Sequence, residues 1–216
     1  MIVRVSGNVV ADFIIKNHYS GKTASITHAW ALLNDEGVLI GAITFGQPAS
    51  PFVAISIRGS DSDIPVIELN RLAIKSEDRN SASKLIGKAL RELPKNILVV
   101  SYADCGVGHV GYVYQATNWK YAGMSKERTD IFSPSGHARH HGGDSSIRQD
   151  RTAKHRYWTA TGRQAIKASL WPSLAYPKGD SLRHDIACER ISREYAQLKL
   201  FPPVEKREAV QMELSE

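Results

Sequence analysis

Apolar positions in the middle of the chain follow two periods, and each predicts an element. Ala82, Leu85, Ile86, Ala89, Leu90 and Leu93 fall at i, i+3, i+4, i+7, i+8 and i+11. This puts one apolar stripe on a helix over Ser81–Leu93 that packs against a sheet. Ser76 and Asn80 are both placed to cap its start, and Pro94 ends it. The run Ile97–Asp104 opens on consecutive branched apolar residues, as a central parallel strand does. It ends in Ser101, Tyr102, Asp104 and Cys105, where strands of open α/β sheets deliver functional groups. A strand over Val66–Lys75 precedes the helix, and a crossover of this length favours parallel pairing of the two strands. Within that first strand the apolar parity changes: Ile67 and Leu69 fall in one phase, Leu72 and Ile74 in the other. Either an extra residue near Asn70–Arg71 makes a β-bulge, or the strand is buried on both faces.

The flanking pattern is less regular. Met1–Val10 reads as an edge strand. Val10, Phe13, Ile14 and Asn17 share a helical face, which predicts a short helix over Ala11–His18, with Gly21 as a stop. Ile26–Leu33 and Val38–Phe45 flank Asn34-Asp35-Glu36-Gly37, the pattern of a hairpin. Phe52–Ile57 is expected as a further strand. A helix within Gly108–Gly123 carries Tyr114 and Trp119, and Ile131-Phe132 is expected to close the sheet. Gln164–Trp171 reads as a short helix broken by Pro172, and Cys188–Phe201 as a C-terminal helix before a charged tail. Antiparallel first half and parallel-containing second half together predict an α/β fold: a mixed central sheet with helices on both faces.

Composition narrows the setting. With 216 residues and 42% hydrophobic content, one core-forming domain is expected. No apolar run approaches the roughly 18 residues of a membrane span, and no leader pattern opens the chain. Cys105 and Cys188 set no disulfide framework, so a cytoplasmic setting is expected. The net charge of +6, from 28 basic and 22 acidic residues, permits contact with a phosphate backbone. Its distribution is more telling. Arg139, Arg148, Arg151, Lys154 and Arg156 lie with His137, His140, His141 and His155 in a stretch opposed by only Asp144 and Asp150. Such a loop suits nucleic acid and equally suits a solvated surface. Tyr157 and Trp158 beside it either stack on a base or anchor in the core. The histidines have no cysteine partner and no fixed metal framework.

The turn before the helix, with Arg79, Asn80, Ser81 and Ser83, suits an anion, because helix N-terminal amides and the helix dipole both favour one. An ordinary capped helix start reads the same way. Strand, Arg-containing turn, helix, strand, then Tyr114 five residues before Trp119 resembles the GNAT acyltransferase superfamily. That resemblance implies a sheet whose central strands splay apart, a turn that grips the pyrophosphate of acetyl-CoA or another acyl-CoA, and a tyrosine that acts as general acid. Where that superfamily has glycines in the turn, this chain has Arg79-Asn80-Ser81-Ala82-Ser83-Lys84. The segments NHYS, ELNRLAI, VVSYAD, GHVGYVYQATNWKYAG, HRYW and WPSLAYPK resemble the bacteriophage Mom family across residues 12–178. That resemblance implies a DNA-modifying enzyme of the host bacterial cytoplasm. It would add a carbamoylmethyl-type group to adenine N6, with double-stranded DNA as partner and the target base flipped. It implies functional roles for His18, Tyr19, Arg71, Asp104 and Tyr114, and for a serine near Ser83. On this reading residues 1–178 form a GNAT-like catalytic domain with a basic loop at 133–163, and residues 179–216 a helix and tail. Asp104 accepts or holds the N6 proton, Tyr114 donates one, and Arg71 holds an anionic group. An acetyltransferase of a small-molecule or protein amine, and a non-catalytic DNA-binding protein, are the alternatives.

Overall fold

The structure, a computed structural model, describes residues 1–131 and 148–177. Nine strands and five helices follow in order among the described residues. They are β1 (Ile2–Val5), α1 (Gly7–Asn17), β2 (His28–Leu33), β3 (Leu39–Gly46), α2 (Pro51–Arg58), β4 (Val66–Ile74), α3 (Ser81–Glu92), β5 (Leu98–Asp104), α4 (Tyr112–Ala116), β6 (Lys120–Met124), β7 (Arg128–Ile131), β8 (Arg148–Arg151), β9 (Lys154–Ala160) and α5 (Arg163–Ala168). The chain divides into two compact units. One holds Met1–Ala103, Gly111–Met124 and His155–Tyr176; the other holds Asp104–Val110, Ser125–Lys154 and Pro177–Glu216.

The main sheet has seven strands in the order β1-β2-β3-β4-β5-β9-β6. β1 to β4 pair antiparallel, β4 and β5 parallel, and β6 and β9 antiparallel. Alternation sorts the side chains by face. Trp30, Ile43, Phe45, Leu69 and Val99 join Leu85, Ile86 and Ala89 of α3 and Tyr114 of α4 in one core. On the other face Ala29, Ala31, Ala42 and Ala73 receive Val10 and Ile14 of α1. Leu98, Val100 and Trp158 pack with Ile57 of α2 and Ala165 of α5. The expected mixed sheet with helices on both faces is therefore present. β7 and β8 form a separate two-stranded sheet within the second unit.

The bulge reading of β4 holds. Thr44 pairs with Arg71 but Phe45 pairs with Leu69, so Asn70 is the extra residue. It brings Ile67, Leu69, Leu72 and Ile74 to the same core despite their opposite parity. The Thr44 hydroxyl donates to Asn70 Oδ1 at 2.7 Å, and Asn70 Nδ2 donates to Ser25 O at 2.8 Å, which fixes the extra residue from both sides.

Several expectations are corrected. Phe52–Ile57 is helical, not extended. Ser50 Oγ accepts from Phe52 N at 3.3 Å, Pro51 opens the helix, and Gly59 closes it at φ 81°. α1 begins at Gly7, four residues before the pattern predicted. Ile131 pairs in the separate β7–β8 ribbon rather than closing the main sheet, which ends instead in β9 and β6. The stretch expected as a basic loop is partly strand: β8 and β9 both fall in it. Phe132, His137, His140, His141 and Arg139, and the expected helix at 188–201, lie outside the described residues.

Gly111 is tied to its place twice over. Its φ is +91°, and a Cβ there would lie 2.4 Å from the Tyr157 ring. Gly111→Ala should therefore cost about 2–4 kcal/mol, from left-handed strain plus overpacking. Urea denaturation of the two proteins, monitored by tryptophan emission, measures it.

Candidate functional site

In the first unit, the site forms where β4 and β5 part. Their parallel ladder pairs Val66 with Leu98, Ile67 with Val99 and Glu68 with Val100. One residue later, the Leu69 carbonyl is satisfied by a side chain: Ser101 Oγ lies 2.8 Å from it. The same oxygen lies 2.7 Å from the Tyr114 hydroxyl. Ser101 has a single proton, and a carbonyl only accepts, so that proton goes to Leu69 and the Tyr114 phenol donates to Ser101. Both side chains are buried. Burial pushes the Tyr114 phenol up to about 12; the Ser101 contact opposes the shift, and the Glu68 charge adds to it. A phenol this weakly acidic stays neutral through the physiological range and can serve as a proton donor.

Aromatic packing holds the phenol in place. The Tyr114 ring centroid lies 5.2 Å from Trp119 and 5.1 Å from Tyr157, and Tyr157 lies 5.3 Å from Tyr121. Such tilted contacts are favoured over a face-to-face sandwich. Gln115 Nε2 donates to the Tyr157 hydroxyl at 3.0 Å, and the Tyr121 hydroxyl meets His155 Nδ1 at 3.0 Å. Burial raises the Tyr157 phenol above its ordinary value, and the Gln115 bond opposes the shift. Tyr157 and Trp158 are thus core residues of β9, not base-stacking groups of a loop.

The bulge at Asn70 decides what faces the opposite side of the sheet. Residues 68 and 71 of a regular strand point to opposite faces; one extra residue between them puts both on the same one. Glu68 stands over Gly46 and beside Val100, and its Oε2 accepts from Ala49 N at 3.3 Å. The Arg71 guanidinium donates through Nε to Lys22 O at 2.8 Å and through Nη1 to Asn70 O at 2.6 Å. Burial pulls its pKa below the ordinary value, and Tyr19 and Glu68 nearby pull it back up. His18 caps α1 and packs at a tilt against Tyr19, with ring centroids 4.4 Å apart. Ser20 N donates to His18 Nδ1 at 3.2 Å; an amide only donates, so the neutral ring carries its proton on Nε2. The expected residues Tyr114, Arg71, His18 and Tyr19 all belong to this unit.

The turn before α3 uses many of its own donors. Asp78 Oδ1 accepts from Asn80 N at 3.0 Å, and its other oxygen pairs with Lys84 Nζ at 2.8 Å. Ser81 Oγ lies 3.1 Å from Ser76 Oγ, and Ser83 Oγ donates to Asn80 O at 3.0 Å. Asn80 sits at the cap position but makes no side-chain cap bond. Arg79 is exposed. The turn therefore offers cations to a diphosphate, but it already holds a carboxylate of its own.

In the second unit, Asp104 is a hub. Its Oδ1 accepts from Gly106 N at 3.0 Å and from the Thr152 hydroxyl, and its Oδ2 pairs with Lys154 Nζ at 2.9 Å. Three donors, one of them an ammonium, engage the two oxygens of this side chain. Lys154 is thus engaged within the protein. So is Arg156 of the first unit, which donates to Ala122 O at 2.9 Å and lies 5.3 Å from the Trp171 ring centroid. Arg148 lies in β8, and Arg151 is exposed at its end.

Sequence reasoning passed over Glu68 and the particular role of Ser101. The signal for Glu68 was present in the parity change: a bulge at Asn70 places 68 and 71 together.

The model of the Mom protein family matches residues 1–170. No curated protein sequence matches the chain. Among solved structures the chain is similar to the GphF GNAT-like decarboxylase in complex with isobutyryl-CoA, at 13% identity and TM-score 0.46, covering 74% of this chain and 99% of that one. It is also similar to Arabidopsis thaliana NAA60 in complex with acetyl-CoA, at 10% identity and TM-score 0.48, covering 74% and 99%. A third is Drosophila melanogaster polyamine N-acetyltransferase, at 12% identity and TM-score 0.43, covering 74% and 100%.

The buried phenol makes a pH prediction. An unfolded tyrosine ionises near 10, and folded Tyr114 near 12. Below pH 10 the phenol is neutral in both states and nothing is lost. Between pH 10 and 12 only the unfolded chain ionises, so stability falls by up to about 3 kcal/mol from this group. In Tyr114→Phe, that share of the alkaline loss should disappear from urea denaturation curves taken across the interval.

Proposed function

The chain belongs to the Mom protein family, and from that membership we propose that it is a transferase acting on the exocyclic N6 amine of adenine in double-stranded DNA. The group added is of carbamoylmethyl type, and the modified viral DNA is shielded from restriction enzymes in the bacterial cytoplasm. The observation that carries the reading is the neutral Tyr114 phenol at the parting of β4 and β5, held by Ser101, in the same unit as Arg71, His18 and Tyr19. A base inside a duplex is out of reach of such a buried group, so the adenine is flipped out before it reacts.

The donor we assign is of the acyl-CoA class, and when bound it would supply carbon of the transferred group; simple acyl transfer from it gives an N6 amide, so a bond through CH2 and the carbamoyl nitrogen call for a further co-reactant. Arg79 and the N-terminus of α3 would hold its diphosphate, which would have to draw Lys84 and the Asn80 amide away from Asp78. Arg71 is anchored through Nε and Nη1 and would hold an anionic part of donor or DNA with its remaining N–H groups. His18 and Tyr19 would line the base pocket, and Tyr114 would protonate the leaving group. Contact with the phosphate backbone is assigned to the basic stretch that holds Arg139, Arg148, Arg151, Lys154 and Arg156, of which Lys154 pairs with Asp104 and Arg156 donates to Ala122 O. Among the described residues no helix is long and apolar enough to cross a membrane.

The reading is tested by expressing the chain in bacteria, digesting the DNA to nucleosides and identifying them by mass spectrometry. A new adenosine derivative is expected, and Tyr114→Phe should reduce it by about 10²–10⁴-fold. Unmodified DNA alongside an acylated small amine or lysine would make the chain an amine acetyltransferase. Tight DNA binding with unmodified bases would make it a binding protein.

A further inference from the structure

An adenine that leaves a duplex opens a gap, and the stack closes again unless something fills it. α2 carries a side chain suited to that task. The inner face of this helix is fixed: Ile57 is buried with Leu98 and Val100 of β5, and Val53, Val66 and Tyr102 pack around them. α2 therefore lies over β4 and β5 on the face of the sheet opposite the Tyr114 core. Its outer face has no such cover. Phe52 is 75% exposed, the most exposed of the large apolar side chains among the described residues, and Ile55, one turn on along the same side, is exposed as well.

The chain before α2 fixes where the phenyl stands. β3 ends at Gly46, which pairs with Glu68. Ala49 N then donates to Glu68 Oε2 at 3.3 Å, and Phe52 opens the helix just beyond. Pro48 and Pro51 restrict the backbone on either side of Ala49 and Ser50, and Ser50 Oγ caps the helix by accepting from Phe52 N at 3.3 Å. The phenyl is thus carried on a stiff arm tied to the last residue of β4 that pairs with β5. Arg71 shares the Glu68 face through the bulge, and Tyr19, packed on His18, acts electrostatically on Arg71 together with Glu68. The residues assigned to the base pocket and the phenyl of Phe52 therefore border the same stretch of β4, and all belong to the first unit. No acidic residue lies in the first turn of α2 to repel a phosphate backbone.

We propose that Phe52 is the wedge that enters the base stack where the adenine has left it, with Ile55 widening its apolar face, while the adenine occupies the pocket lined by His18 and Tyr19. The proposal rests on the transferase reading. A phenyl ring stacks on the flanking bases and asks no hydrogen bond of them, so it replaces the lost stacking whatever their identity. Insertion also removes the exposed surface of Phe52 and Ile55 from water, which favours the extruded state over the closed one. Because the ring sits on a capped, proline-bounded helix, the contact forms without ordering a loop. Phe52 takes no part in making or breaking bonds; it holds the duplex open while they form. The thymine left behind has no partner and is unstacked.

The experiment compares wild type, Phe52→Ala, Phe52→Leu and Phe52→Gln in the nucleoside assay. Melting temperature, sedimentation and DNA affinity are measured on each purified protein. Permanganate oxidation of a linear plasmid bound to each protein then reads unstacked thymines, with no need to know the target sequence. Phe52→Ala should melt and bind DNA like wild type, since the phenyl is exposed and affinity rests on phosphates. It should yield about 10–10³-fold less modified adenosine, the equivalent of unstacking one base step unaided, and the reactive thymines seen under wild type should vanish. Phe52→Leu, which keeps an apolar wedge, should recover part of both. If wild type modifies DNA and a folded Phe52→Ala does so undiminished, the wedge is overturned and the transferase reading stands; a dimer that becomes a monomer in that variant would show that a second copy covers the phenyl instead. If Phe52→Ala is unfolded, Phe52→Gln decides: full product from a folded protein overturns the wedge, and loss of both product and reactive thymines supports it. If wild type leaves DNA unmodified, the transferase reading falls. The wedge then stands on thymines that react under wild type and not under Phe52→Ala, and is overturned without them.

Discussion

The site depends on one unpaired backbone carbonyl. Two parallel strands that diverge must leave peptide groups without a ladder partner, and a buried peptide oxygen left so is costly. At Leu69 the loss is made good by the Ser101 hydroxyl, a side chain one residue beyond the last paired position on β5. The gap can therefore persist in the middle of a hydrophobic sheet. The same hydroxyl then has no proton left for Tyr114, which fixes the phenol as donor. The separation of the strands and the protonation of the candidate acid are thus one arrangement.

The frame of the fold was legible because it follows from periodicity. The α3 stripe, the hairpin of β2 and β3, and the run that became β5 each obey a single period, and each was found within a few residues. The bulge was legible for the same reason: Leu69 and Leu72 cannot share a core without an extra residue between them. β9 was hidden by its composition. Its residues Lys154, His155 and Arg156 read as part of a solvated basic stretch, yet each has a protein partner: Asp104 for Lys154, the Tyr121 hydroxyl for His155, and the carbonyls of Ala122 and Gly123 for Arg156. Charge counted along a chain says nothing of whether it is already neutralised in three dimensions. Phe52–Ile57 misled in the opposite sense, since a branched apolar run resembles a strand until Ser50, Pro51 and Gly59 are read as helix ends.

The residues of the candidate site were legible unequally. Tyr114, Arg71, His18 and Tyr19 came from resemblance to a family, and all four fall in one compact unit. Asp104 came from its place at a strand end as well as from the resemblance, and it ties Thr152 and Lys154 to the turn that opens at Cys105. Glu68 could not be ranked from sequence, because its standing depends on pairings with Gly46 and Val100 that join distant parts of the chain.

The extra residue in β4 also bears on how such a site can change over generations. An amino-acid exchange at Asn70 alters the side chain that fixes the kink but leaves the count of residues intact, so Glu68 and Arg71 keep their common orientation. Only gain or loss of a codon shifts that count, and it would turn Arg71 toward the apolar interior or else drag Leu72 and Ile74 out of it. The polar character of this face is thus tolerant of substitution and intolerant of frame-preserving insertion or deletion. A lineage that keeps the length of this strand keeps the geometry, however far its letters drift.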